Sequence, residues 1–225
     1  LAGGEVVVAW WDVSRTAANG EIIARIGSGD GTDTLANFGA ATVSLAAALD
    51  VSNYVGEMIA LGNGGFALGG GFVAPGENEQ GFIGVYDADG MAAATPDRIN
   101  DTAFRSSFDG LAALPDGRIL TLVETQSDFP FVDAGEVRAY SVTGAPSGGN
   151  ASLSYPDPYI YSRSLTTLAD GRILEAYTTH NFEGSTSIFG VAARVLSPSG
   201  DVLTSFGPLG DVAGNDDKIP VIAAT

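Results

Sequence analysis

Two carboxylates and one guanidinium stand at nearly the same place in three separate stretches of this 225-residue chain. Asp109 and Arg163 each lie five residues before a Leu-x-x-Gly quartet, Leu114–Gly117 and Leu168–Gly171. Glu57 lies four residues before a third quartet, Leu61–Gly64. Two carboxyl groups that face one space can divide general acid from general base, as glycoside hydrolysis requires, and Glu57 and Asp109 are the pair for that chemistry. The structural alternative is an Asp109–Arg163 ion pair that holds neighbouring elements in register, since such pairs occur without catalysis. Other chemistries find little support. His180 is the single histidine, so a His-based zinc site is excluded. A Ser-His-Asp set would have to recruit Asp128 or Asp133, and no G-x-S-x-G elbow exists to present a nucleophile. With no cysteine there is no disulfide, thiolate metal site or Cys nucleophile. The Gly-rich run GGGF at 69–72 sits inside a strand pattern with no helix after it, so it is not a dinucleotide fingerprint.

A second set of candidates lies in long polar connections at 12–20, 74–80, 125–135 and 178–188. They hold Glu77, the run Asp128, Phe129, Phe131 and Asp133, and the group His180, Phe182 and Glu183. Tyr159 belongs to the tyrosine-rich YPDPYIY at 155–161. Aromatic faces beside acids and amides suit a carbohydrate or a protein partner, and long loops on a rigid scaffold are common places for function.

The elements that must position these residues follow from a repeat. The Leu-x-x-Gly anchors begin at Leu1, Leu61, Leu114 and Leu168, spaced by 60, 53 and 54 residues, and the distance from Leu168 around to Leu1 is 58. Each anchor separates two short apolar runs with the period of strands. EMIAL, GLAAL and SLTTL read as strand A, and strand B follows the glycine. The Asp-Gly or Asn-Gly pair between the runs is a hairpin signal. Strand C (EIIARI, GFIGVYD, EVRAYS, GVAARVL) closes on Gly31, Gly90, Gly144 or Gly200, and a short strand D comes next, as in DVLTSF. The Ala-rich stretch 36–50 reads as strand D plus a loop. The expected fold is all-β: a β-propeller of four blades, each of four antiparallel strands, with a fragment of a larger propeller or another all-β solenoid or sandwich as the alternatives. The blades are 219–225 plus 1–50, then 54–100, 106–150 and 162–210. KIPVIAAT at the C-terminus reads as the strand A that the first blade lacks, and its pairing beside the N-terminal strand closes the ring. In that fold the A strands line the channel, and the B–C and D–A loops share one face. Arg25, Arg138 and Arg194 recur six residues before the glycine that ends strand C, where the second blade has Gly84. That recurrence reads as structural, an arginine stem covering the neighbouring blade.

The blade pattern resembles the β-propeller repeats of large secreted bacterial proteins that carry RTX calcium-binding nonapeptides. The resemblance rests on Leu61-x-x-Gly64-Gly65, Trp10 and Tyr86-Asp87-Ala88-Asp89-Gly90, and on Ser28-Gly29-Asp30-Gly31-Thr32-Asp33-Thr34-Leu35, which is similar to the nonapeptide. It implies a secreted or cell-surface setting and Ca²⁺ as the one candidate cofactor, with Asp30, Asp33, Asp87 and Asp89 as oxygen ligands. The alternative for both segments is a Gly/Asp turn whose side chains bond their own backbone.

Charge narrows the partners. Asp and Glu number 27 against 10 Lys and Arg, for a net −17, which disfavours nucleic acid. No run of 18 apolar residues offers itself for membrane insertion. A first residue of Leu within a strand pattern reads as a piece of a larger product. The leading expectation is a non-enzymatic extracellular binding or assembly module that recognises a protein or carbohydrate on the loop face. The alternatives are a hydrolase or lyase acting on extracellular polysaccharide and a calcium-stabilised spacer.

Overall fold

The computed structural model describes residues 1, 4–12, 21–28, 42–44, 52–73, 78–94, 97–99, 105–126, 133–148, 151–153, 160–183, 186–207 and 211–213. Among these every regular element is a strand. The first sheet holds β1 (Glu5–Asp12), β2 (Glu21–Ser28) and β3 (Thr42–Ser44). The second holds β4 (Ser52–Ala60), β5 (Phe66–Val73), β6 (Glu79–Tyr86) and β7 (Asp97–Arg98). The third holds β8 (Arg105–Ala113), β9 (Ile119–Gln126), β10 (Asp133–Tyr140) and β11 (Ala151–Leu153). The fourth holds β12 (Ile160–Thr167), β13 (Ile173–Glu183), β14 (Thr186–Leu196) and β15 (Val202–Phe206), with β16 (Asp211–Ala213) also on β14. Within each sheet neighbours in sequence pair antiparallel, so each is a meander.

One turn builds the A–B hairpins and the C–D hairpins alike. The N–H of Gly64 donates to the carbonyl of Leu61 at 3.1 Å, and Gly117 does so to Leu114 at 3.0 Å. In the C–D turns, Gly90 reaches Asp87 at 3.1 Å and Gly200 reaches Ser197 at 2.9 Å. The closing residue of this turn sits at positive φ, 87° at Gly117 for example, where a Cβ is strained. The residue before that glycine completes the design: the Asp116 and Asp170 carboxylates accept the backbone N–H of Arg118 and Arg172 at 3.0 and 3.1 Å.

Strand alternation sends apolar residues to both faces of the central sheets. On β5, Phe66, Leu68 and Phe72 join Ile22 and Ala24 of the first sheet. Ala67 instead meets Phe108, Leu111 and Val123 of the third. Leu120, Leu122 and Val137 then pack on Leu165, Ile173 and Leu196 of the fourth. Each fully buried Phe or Leu contributes about 1.5–3 kcal/mol, so the sheets are joined face to face by apolar contact.

Two expectations change. The connection at 178–188 is paired strand, because the β13–β14 ladder runs on to Glu183↔Thr186. The recurring arginines serve their own sheets rather than the neighbouring one. Arg194 pairs with Glu175, Arg138 with Glu136 at 3.0 Å, and Arg25 lies 6.0 Å from the Trp10 ring. At Gly84 the Tyr86 ring occupies that space, with its hydroxyl 2.4 Å from where a Cβ would be. The pairing of 219–225 with β1 lies outside the described residues. Of the stretch 36–50 only Thr42–Ser44 is described, as β3.

Candidate functional site

The inner strands β4, β8 and β12 touch one another through contacts at the repeat spacing. The Leu111 N–H donates to Glu57 Oε2 at 2.7 Å, Arg163 Nη1 donates to Asp109 Oδ2 at 2.5 Å, and Thr167 Oγ1 donates to the Ala113 carbonyl at 2.7 Å. Each inner strand is also irregular against its strand B. The register skips one residue between Val55 and Glu57 on β4 and between Phe108 and Gly110 on β8. Gly56 and Asp109 are the extra residues. A bulge re-aims its side chain out of the ladder, which is how Asp109 comes to reach the next sheet.

The Phe108 ring keys this end of β8 into the second sheet. A Cβ at Gly69 would lie 2.0 Å from its Cε2, and one at Gly56 would lie 2.6 Å from its Cδ1. Gly71 has the same relation to Tyr54, its cross-strand partner, with the ring Cε1 only 2.2 Å from a would-be Cβ. The glycine run thus makes room for two aromatic rings from inner strands.

Two carboxylates of the third sheet flank Arg163 of the fourth. Its side chain is 1% exposed and lies 3.4 Å from Glu124 Oε2 besides bonding Asp109. Asp109, with its side chain 14% exposed, also accepts the Ser107 hydroxyl at 3.3 Å. Burial pushes the Asp109 carboxyl up to about 6. Arg163 and Ser107 oppose that rise, and the charges of Glu175 and Glu79 add to it. Burial likewise raises Glu57, against the pull of the Leu111 N–H. The Tyr54 hydroxyl bonds Glu79, and its pKa is raised by burial first and then by the charges of Glu79 and Asp109. Behind this group, Arg194 makes a two-pronged pair with the fully buried Glu175 and lies 5.4 Å from the Tyr177 ring. A buried acid near pH 6, a second carboxylate and an orienting cation can move a proton to and from a bound molecule.

Of the residues expected from sequence, Asp109 falls in this cluster, and Glu57 accepts the N–H of Leu111, two residues along β8. Asp133 opens β10 opposite Gln126, and His180, Phe182 and Glu183 lie on β13 opposite Phe189, Ser187 and Thr186. Glu77, Asp128, Phe129, Phe131, Tyr159, Asp30 and Asp33 lie outside the described residues. Asp87 and Asp89 occupy an exposed C–D turn, where Asp87 Oδ1 accepts the N–H of Asp89 at 3.0 Å and of Met91 at 2.8 Å. Among the described residues no three metal-ligating side chains come together. Glu79 belongs to the acidic run Glu77-Asn78-Glu79 of the 74–80 connection, whereas nothing in residue type marks Tyr54. The signal for Tyr54 was three consecutive glycines in a buried strand, a place where something bulky must approach.

No protein-family model matches the chain, and no curated protein matches it. Solved structures do. The fold is similar to Penicillium chrysogenum α-L-arabinanase complexed with arabinobiose, with a TM-score of 0.62 and 12% identity over 95% of this chain and 64% of that one. It is similar also to an ulvan lyase from a new polysaccharide lyase family, with a TM-score of 0.50 and 11% identity over 98% of this chain and 57% of that one. This chain therefore spans less than two thirds of either. At these identities the likeness concerns the backbone, and it makes the fold β-propeller-like.

Proposed function

We propose that this chain acts on a polysaccharide at the channel end where Asp109, Glu79 and Tyr54 meet, and that the chemistry is glycoside hydrolysis. The observation that carries this reading is the Asp109 carboxyl, buried and raised to about 6 by its surroundings. A carboxylic acid poised there is a proton donor for a glycosidic oxygen near neutral pH. Arg163 holds Oδ2, which leaves Oδ1, beside the Ser107 hydroxyl, to carry the proton. Glu79, whose charge contributes to the Asp109 shift, is the second carboxylate. Glu57 is engaged with the Leu111 N–H and positions the neighbouring strand. Propeller-like folds in an arabinanase and an ulvan lyase support a carbohydrate substrate. Hydrolysis fits better than elimination because Arg163 is already paired with Asp109 and Glu124 and so is not offered to a uronate. As its finer architecture we propose a four-bladed ring closed by residues 219–225 beside β1.

Reducing-sugar release from a panel of neutral and uronate polysaccharides tests the activity. Asp109→Asn should lower kcat/KM by about 10²–10⁴-fold and remove the limb of the pH profile near 6. Full activity in that variant overturns the assignment, and no release from any polymer overturns hydrolysis. A binding module without turnover is the second reading. It is favoured by the ion pair that Asp109 makes with the buried Arg163, and saturable glycan binding without cleavage would establish it.

A further inference from the structure

We infer that Tyr54 is a specificity-determining residue, the platform on which one uncharged sugar ring of the substrate stacks; this rests on the carbohydrate reading above. Tyr54 is 38% exposed although it belongs to an inner strand. In register it stands opposite Gly71, which stands opposite Gly81, so a row of two glycines runs beneath the side chain. A Cβ on Gly71 would lie 2.2, 2.5 and 2.6 Å from Cε1, Cζ and Oη, so the outer end of the ring lies over Gly71. Its far end is fixed by the hydroxyl bond to Glu79 and by the backbone of Phe108. A ring held beneath and at its tip costs little entropy when a ligand covers it, and its exposed part is left for contact. The next row of the same sheet face pairs Val73, itself 43% exposed, with Glu79, so apolar surface and a hydroxyl acceptor adjoin the ring. That combination matches a sugar, which offers a C–H face for stacking and hydroxyls at its edge. A uronate or sulfated ring at this place would meet Glu79 and Asp109, so the platform takes a neutral one.

Glycine 71 makes the inference testable without touching Tyr54. The nearest atoms an added methyl would meet all belong to the outer end of the Tyr54 ring, which is partly exposed, so Gly71→Ala displaces the ring from its place rather than the strands beside it. Kinetics on arabino- and xylo-oligosaccharides, with oligogalacturonate as the charged probe, read the outcome. Tyr54→Ala and Gly71→Ala should each raise KM up to about tenfold with a smaller effect on kcat, and Tyr54→Phe, which keeps the stacking ring but loses the hydroxyl, should raise KM less than either. Melting curves of the three variants should remain cooperative, and if Tyr54→Ala fails to fold, Gly71→Ala and Tyr54→Phe decide. An unchanged KM in Gly71→Ala, a loss confined to kcat, or preference for oligogalacturonate overturns the platform and leaves the hydrolase reading standing. A parent that neither binds nor cleaves any of these sugars overturns both.

Discussion

Replacing Asp109 by Asn removes a titration while keeping the shape of the side chain, and so measures which of two opposed effects wins at this carboxyl. Burial favours the neutral acid. The guanidinium of Arg163, 2.5 Å away, favours the carboxylate. In the fold burial prevails, and the group moves from its ordinary 3.8 to about 6. That difference corresponds to about 3 kcal/mol between the two protonation states. The sign follows from proton linkage. Between those two values the folded state holds a proton that the unfolded chain has lost, so stability falls as pH rises and levels off above the folded value. Below about pH 4 both states hold the proton and the contribution is fully present. Asn does not titrate, so its altered hydrogen bonding offsets stability by a near-constant amount. Urea unfolding of parent and variant from about pH 3.5 to about pH 7.5 should therefore show the parent-minus-variant difference dropping by about 3 kcal/mol as pH rises. A flat difference would mean burial and Arg163 cancel. A difference that grows with pH would mean the ion pair wins, and would sink the proton-donor role with it.

Three further substitutions probe the contacts that hold the site. Gly69→Ala places a methyl where the buried Phe108 ring already lies, and overpacking of that kind should cost about 1–3 kcal/mol in urea unfolding. Glu57→Ala strips the Leu111 N–H of its acceptor and should cost about 1–3 kcal/mol, while Glu57→Gln, which keeps a carbonyl oxygen, should recover most of it; equal losses would argue that the charge matters and the hydrogen bond does not. Arg194→Met leaves the fully buried Glu175 without its cation and should cost about 3–5 kcal/mol. Adding Glu175→Gln to it should restore part of that, as thermal melts of the single and double variants would show.

The repeat was legible because its turn chemistry is local. A hairpin that needs positive φ at one position writes a glycine there, and the Asx residue before it writes an Asp or Asn, so Leu61–Gly64, Leu114–Gly117 and Leu168–Gly171 mark the A–B junctions directly. Strand ends are written less clearly. β4 begins at Ser52, earlier than the apolar run EMIAL marks, and the added turn of strand carries Tyr54. β13 and β14 run through a stretch whose polar residues read as loop, because a ladder that pairs strand with strand through the backbone needs no apolar side chains to continue. The Asp109–Arg163 contact followed from equal offsets from the anchor. Glu79 did not, since its place depends on cross-strand register with Val73 and on a ring from β4, neither of which has a local signature.

One slot in the repeat explains why the site is asymmetric. The residue five before the anchor leucine is Gly56, Asp109 and Arg163 in successive inner strands. In the first two it is the extra residue of a bulge, turned out of its own ladder toward its neighbours. With glycine in the slot, the second sheet leaves a gap that the Phe108 ring enters, and this fixes β8 against β5. With aspartate there, the third sheet sends a carboxylate to the fourth, and with arginine the fourth returns a guanidinium. A ring of identical blades would place the same side chain in every slot, and a like charge repeated at such distances repels itself. Variation at this one position therefore serves packing and chemistry together: it joins three sheets through an aromatic key and an ion pair, and among these three strands it leaves a single carboxyl, Asp109, raised by burial and by its charged neighbours.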